Sequence, residues 1–84
     1  MPDAVQRTED ALLQWCNSRL RLASPITAET NLLDEGYLDS LLVMAMVVYI
    51  EEQFGVMIDS TEISPRTFHS VRTLAALVAA RGTQ

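Results

Sequence analysis

The chain has 84 residues, which is enough for one small domain with one hydrophobic core and too short for two cores. Hydrophobic residues make up 49% of the sequence, and this content argues against intrinsic disorder. The net charge of −5, with six arginines and no lysine, makes nucleic acids and anionic lipid surfaces poor partners and favours basic protein partners.

The single cysteine and the single histidine limit the chemistry open to the chain. With Cys16 alone, neither an intrachain disulfide nor a zinc site built from several cysteines can form. His69 has no second histidine, and no Gly-x-Ser-x-Gly motif surrounds Ser40, so we expect no hydrolytic activity. The N-terminus lacks a basic start followed by an apolar run, and no apolar run is long enough to span a bilayer. We therefore expect a cytoplasmic protein that is not an enzyme.

A first helix is predicted over residues 3–22. Asp3 is a suitable N-cap, and Gln6 follows at the position of the second partner in a capping box. Apolar residues then recur at helical spacing through the segment, with most charged residues on the other faces. Trp15 and Cys16 lie on this apolar stripe, so we assign them to the core rather than to a site.

Residues 23–38 are predicted to form a long connection. Ser24-Pro25 ends the first helix, because the residue before a proline avoids the helical region. Loops of this length are usually functional. Several apolar residues suggest that the connection packs on the core: Ile26, Leu32, Leu33, Tyr37 and Leu38.

A second helix is predicted over residues 40–54. An unbroken apolar run follows Ser40, and its length and its content of Leu, Met and Ala favour a helix over a strand. Asp39 and Ser40 lie where the N-cap belongs. Unpaired N–H groups and the positive end of the helix dipole stabilise a phosphate there. Ser40 is therefore either a plain capping residue or the attachment point of a phosphorylated group.

The second helix is apolar on two sides. Helical spacing assigns one side to the core: Met44, Val47, Ile50 and Phe54. The opposite side should be polar if it were simply exposed. The long connection or a second copy of the chain could cover it. Our prediction is instead a partner-binding surface made of five residues: Leu41, Leu42, Ala45, Met46 and Tyr49.

Two further helical segments are predicted towards the C-terminus. A short irregular helix is expected within residues 60–68, where a proline suits a first turn. A last helix is expected over residues 71–81, capped by Ser70 and closed by Gly82. We expect one core to join all the helices through six residues: Trp15, Met44, Val47, Phe54, Leu74 and Val78.

The sequence resembles the acyl carrier protein family at Asp39-Ser40-Leu41, at Gly36 and at Glu51-Glu52-Gln53-Phe54-Gly55. The resemblance extends from about residue 12 to residue 78. It implies one all-α domain over residues 1–84, a small four-helix bundle with a long first loop and a short irregular third helix. It also implies that Ser40 carries 4′-phosphopantetheine derived from coenzyme A. Asp39 would help to position that serine, or a metal ion, for the enzyme that installs the group.

The resemblance also implies a function and a set of partners. The chain would hold an acyl or aminoacyl group as a thioester and catalyse nothing itself. Its partners would be a phosphopantetheinyl transferase, an adenylating or ligase loading enzyme, and a downstream acyl- or aminoacyl-transferase or synthase.

The cargo is expected to be an amino acid or a similar small acyl group. The segment from Glu62 to Val71 resembles freestanding carriers of amino acids, including D-alanyl carrier proteins. Leu42 and Ala45 stand where fatty-acid carriers have acidic residues. A fatty-acid or polyketide carrier is the alternative within the family. The alternatives outside it are a helical protein-interaction domain in which Ser40 is only a cap, and a carrier-like domain that is never modified.

Overall fold

The computed structural model describes residues 3–82. It contains three α-helices, α1 (Asp3–Leu20), α2 (Ser40–Phe54) and α3 (Val71–Gly82), and one 3₁₀ turn at Ser60–Glu62. No strand occurs within residues 3–82, so the all-α class is confirmed. None of these helices is long and apolar enough to cross a membrane.

The short third helix is not an α-helix. Asp59 and Glu62 form a capping box around a single 3₁₀ turn, in which the Ile63 N–H donates to the Ser60 carbonyl at 3.2 Å. Ile63 leaves the helical region with ψ of 89°, and Ser64 precedes a proline, which disfavours helix. Residues 64–69 form turns. The predicted fourth helix is therefore not confirmed, and the part of the chain that the structure describes has three α-helices and one 3₁₀ turn.

The long connection between α1 and α2 is tied to the N-terminal end of α3. The Leu32 N–H donates to the His69 carbonyl, and the Arg72 N–H donates to the Ala28 carbonyl, both at 2.9 Å. Leu32 and Ile26 are buried. The connection thus contributes side chains to the core, and it leads directly into the start of α2.

The core joins all three α-helices with the two connections. Its buried members are Leu12, Cys16, Ile26, Leu32, Met46, Val47, Ile50, Val56, Ile58, Phe68, Val71, Leu74, Ala75 and Val78. Among the residues predicted for it, Val47, Leu74 and Val78 are buried, while Trp15 and Phe54 are half-buried and pack against it.

The orientation predicted for α2 is wrong by part of a turn. Met44 is 59% exposed, whereas Met46, which was assigned to the outer surface, is completely buried. Met46 belongs to the same buried cluster as Leu12 and Cys16 of α1, and the ring of Trp15 is stacked on that of Tyr49 at 5.2 Å between centroids. Because apolar residues lie on both sides of α2, the helical spacing alone does not show which side faces the core.

Candidate functional site

Helix α2 begins at an exposed corner, where the connection turns sharply into it. Gly36 has φ of 73°, a left-handed conformation that favours glycine. Its N–H donates to the Leu33 carbonyl at 3.0 Å, and the Tyr37 N–H donates to the Leu32 carbonyl at 3.0 Å. This turn brings the chain to Asp39 with the direction that α2 needs.

Asp39 is the N-cap of α2. Its backbone is extended, and its Oδ1 accepts a hydrogen bond from the Leu42 N–H at 2.7 Å. Its carbonyl accepts from the Val43 N–H at 2.9 Å. One residue thus satisfies two backbone donors of the first turn.

Ser40 is the first residue of α2, and its side chain takes no part in capping the helix. It is exposed, and its hydroxyl makes no hydrogen bond with any residue in the described range 3–82. The backbone N–H groups of Ser40 and Leu41 are likewise unpaired among those residues. The interpretation of Ser40 as the capping residue is therefore wrong, because Asp39 performs that task. What remains is a free hydroxyl beside two free donors at the positive end of a helix.

A phosphate ester on this hydroxyl fits the surroundings that the structure shows. The hydroxyl faces solvent, so an added group displaces no core side chain. Two N–H donors and the helix dipole favour negative charge at this position. Neither Cys16, which is buried, nor His69, whose ring lies against Asn31, forms a hydrogen bond with the Ser40 hydroxyl in residues 3–82.

Cys16 and His69 have structural settings. Burial raises the pKa of the Cys16 thiol to about 11, so it stays protonated and unreactive near neutral pH. His69 Nε2 lies 2.9 Å from Asn31 Nδ2, and Asn31 Oδ1 accepts the N–H groups of Leu33 and Asp34. The amide orientation is thus fixed, and His69 Nε2 accepts a hydrogen bond in tying the connection to α3. No group of three metal-ligating side chains occurs among the residues described.

The predicted partner-binding surface is only partly exposed. Leu41 is 83% exposed, whereas Leu42, Ala45 and Tyr49 are half-buried. Met46 lies in the core and cannot belong to that surface.

The exposed side of α2 carries two apolar residues that sequence reasoning missed, Met44 and Val48. Together with Leu41 they follow at helical spacing and form what we call the exposed stripe: Leu41, Met44 and Val48. The signal for the stripe was present in that spacing, but the wrong phase placed Met44 in the core.

Comparison with known proteins identifies the class. The family model described as "Phosphopantetheine attachment site" matches residues 10–80, which is most of the chain. The protein belongs to this family of carrier domains, whose members hold a covalently attached 4′-phosphopantetheine.

One solved structure is also similar. It is described as "Crystal structure of FAD-dependent dehydrogenase", and one of its chains is 38% identical to this one, with a TM-score of 0.73. The match covers 80% of this chain and 97% of that chain, so nearly all of that shorter chain is matched. No curated protein matches significantly.

Proposed function

We propose that this protein carries an acyl or aminoacyl group as a thioester on 4′-phosphopantetheine attached to the hydroxyl of Ser40. The observation that carries the proposal is the division of roles at the start of α2. Asp39 caps the helix, and Ser40 is therefore exposed, unbonded and free to be modified. The family match supplies the identity of the prosthetic group.

The residues around Ser40 hold the phosphodiester rather than react with it. The free N–H groups of Ser40 and Leu41, with the helix dipole, stabilise the negative charge by about 0.3–1 kcal/mol. When bound, the prosthetic group supplies a thiol on a long flexible chain, which gives the cargo a high effective concentration at each enzyme in turn.

Asp39 is proposed to position the serine for the phosphopantetheinyl transferase. Its Oδ1 is engaged by the Leu42 N–H, and this bond fixes the backbone from which the Ser40 side chain projects. Its second carboxylate oxygen makes no hydrogen bond within residues 3–82 and is available to a metal ion bound by the transferase.

The partners are proposed to dock on the exposed stripe. Leu41, Met44 and Val48 offer an apolar surface on the helix that bears the attachment site, and Glu52 lies one turn further on. The half-buried residues Leu42, Ala45 and Tyr49 border the stripe on its α1 side. A transferase, an adenylating or ligase loading enzyme and a downstream transferase or synthase would use this surface in succession, in the cytoplasm.

An amino acid or similar small acyl group is the proposed cargo, and a fatty or polyketide acyl chain is the alternative. The resemblance of residues 62–71 to freestanding aminoacyl carriers supports the first. The apolar character of Leu42 and Ala45, where fatty-acid carriers are acidic, argues against the second.

A flavin-dependent dehydrogenase is proposed as one enzyme that acts on the cargo. The support is the similar solved structure, whose description names such an enzyme. The flavin is assigned to the partner, since residues 3–82 contain no strand and so do not form the doubly wound parallel sheet that binds dinucleotides in many enzymes. Mixing that dehydrogenase with the loaded carrier in the absence of oxygen should bleach the absorbance of the oxidised flavin. Failure to bleach with every cargo tried, together with no binding by calorimetry, would remove this partner.

The chain offers a matched control for the attachment site. Ser60, like Ser40, is an exposed serine in the first position of a helical turn that an aspartate caps. We expect incubation with coenzyme A and a broad-specificity transferase to add one phosphopantetheine to the wild type and to Ser60→Ala, and none to Ser40→Ala. Modification that survives in Ser40→Ala, or is lost in Ser60→Ala, would overturn the assignment.

A further inference from the structure

A groove lies beside Ser40, on the side of α2 that faces the end of α1. Its volume is about 280 Å³, and the two neighbours of Ser40, Asp39 and Leu41, both line it. The other lining residues come from α1, from the long connection and from the next turn of α2: Arg19, Leu20, Tyr37, Leu42 and Ala45. A group attached to Ser40 therefore begins at the rim of the groove.

The groove contains one cation that is not paired with a carboxylate. Arg19 lies in the last turn of α1, and its guanidinium carbon is 4.8 Å from the centroid of the Trp15 ring. In residues 3–82 Arg19 forms no ion pair, whereas Arg72 and Arg81 each pair with a glutamate. Stacking on an aromatic face leaves the N–H edge of a guanidinium free to donate to an anion.

The rest of the lining is mainly apolar. Leu20, Leu42 and Ala45 are half-buried, and Ala45 lies about 7–8 Å from Ser40 along the helix axis, at 1.5 Å per residue. Tyr37 is also half-buried, and its hydroxyl makes no hydrogen bond with the residues that the structure describes. The groove thus offers a cation, an apolar lining, one free hydroxyl and, at its rim, the carboxylate of Asp39.

We propose that this groove, on the α1 side of α2, is the resting site of the 4′-phosphopantetheine on Ser40, with Arg19 as the counter-charge of its phosphodiester. The proposal rests on the function proposed above. The chemistry matches piece by piece: Arg19 donates to the phosphate oxygens, Leu20 and Ala45 contact the geminal methyl groups, and Tyr37 donates to an amide carbonyl. Because the group is tethered at the rim, its effective concentration is in the millimolar range, and weak contacts are enough to seat it.

Leu41 links the groove to the surface proposed for partner binding. It lines the groove and also belongs to the exposed stripe. An enzyme that covers Leu41 therefore competes with the resting position, and docking releases the prosthetic group from Arg19.

The test uses the full chain, labelled with ¹³C and ¹⁵N and converted with unlabelled coenzyme A, so that isotope-filtered NOEs report contacts of the prosthetic group alone. We expect NOEs from the geminal methyl protons to the side chains of Leu20 and Ala45. Arg19→Gln should lose most of this intensity. Arg7→Gln, which removes another exposed arginine from the same helix, should keep it. Circular dichroism should show both variants folded, since both side chains are exposed.

The outcomes separate this proposal from the function. Full modification by mass, with NOEs confined to Ser40 and its neighbours or directed to α3, would overturn the resting site and leave the attachment intact. Unchanged NOEs in Arg19→Gln would overturn the role of Arg19. No gain of mass in any form of the protein would overturn the attachment and the resting site together.

Discussion

Met44 and Met46 lie two positions apart in α2 and on opposite sides of it, the first 59% exposed and the second fully buried. This relationship sets the phase of the helix that begins with Ser40. It places Met44 with Leu41 on the exposed stripe and Met46 in the core.

The two methionines should differ sharply in their contribution to stability. Met46→Ala removes a buried side chain and should lower the free energy of unfolding by about 2–5 kcal/mol. Met44→Ala should change it by less than about 0.5 kcal/mol, because exposed substitutions away from special features have small effects. Urea unfolding of the two variants measures both values. Equal losses in the two variants would show that α2 is rotated from the position described.

Partner docking should depend on the exposed stripe. Met44→Glu places a charge in the apolar surface, and we expect kcat/KM of the phosphopantetheinyl transferase to fall about tenfold or more, which corresponds to about 1.4 kcal/mol. Met57→Glu is the control, since Met57 is 72% exposed and lies outside α2. The effect should persist at high salt, because apolar contact is not screened. A transferase rate that is unchanged in Met44→Glu would exclude the stripe as its docking surface.

Stability measurements on the unmodified protein should show that Asp39 caps α2 and that Ser40 does not. Asp39→Ala removes the oxygen that accepts the Leu42 N–H and should cost about 0.5–2 kcal/mol. Asp39→Asn should keep most of this stability, since asparagine is an equally good N-cap. Ser40→Ala should leave stability almost unchanged. A larger loss in Ser40→Ala than in Asp39→Ala would mean that Ser40 is the cap.

Stability should fall at alkaline pH because of the buried thiol. The pKa of Cys16 is raised from 9.0 to about 11 in the folded protein, so between these values the unfolded chain releases a proton that the folded chain retains. The thiol's contribution is complete below pH 9 and is lost as pH rises through about 11, a change of roughly 2–3 kcal/mol at 1.36 kcal/mol per pKa unit.

Chemical unfolding at a series of pH values from about 8 to about 11 measures this slope. Cys16→Ala should flatten it. Burial, and then the charge on Cys16, also raise the pKa of Tyr49, so Tyr49→Phe should remove a smaller part of the slope. An unchanged slope in Cys16→Ala would show that the thiol is not protected by burial.

The sequence predicted the parts of this protein that depend on local signals. The Asp-Ser-Leu motif and the downstream Glu-Glu-x-Phe segment led to the carrier family, which the family match confirms. The long apolar run and its flanking residues led to an all-α domain, which the structure confirms.

Other features depend on tertiary packing and could not be predicted in the same way. The phase of α2 is that which buries Met46, Val47 and Ile50 in the shared core, and periodicity does not show it when both sides of a helix are apolar. Helix α1 ends at Leu20, and the next residue, Arg21, adopts φ of 51°. This left-handed conformation is rare for arginine, so the sequence does not predict it. Which of Asp39 and Ser40 caps α2 was also open, because both residue types are good N-caps.

The central claim is that Ser40 carries 4′-phosphopantetheine. The mass of the protein purified from its own host tests this claim most directly, because it also distinguishes a modified carrier from a carrier-like domain that is never modified. The account predicts an intact mass above that of the bare chain by one phosphopantetheine or its acylated form. Fragmentation should place the addition on the peptide that contains Ser40 and not on the peptide that contains Ser60. A bare chain in the host, or an addition at any other residue, would contradict it.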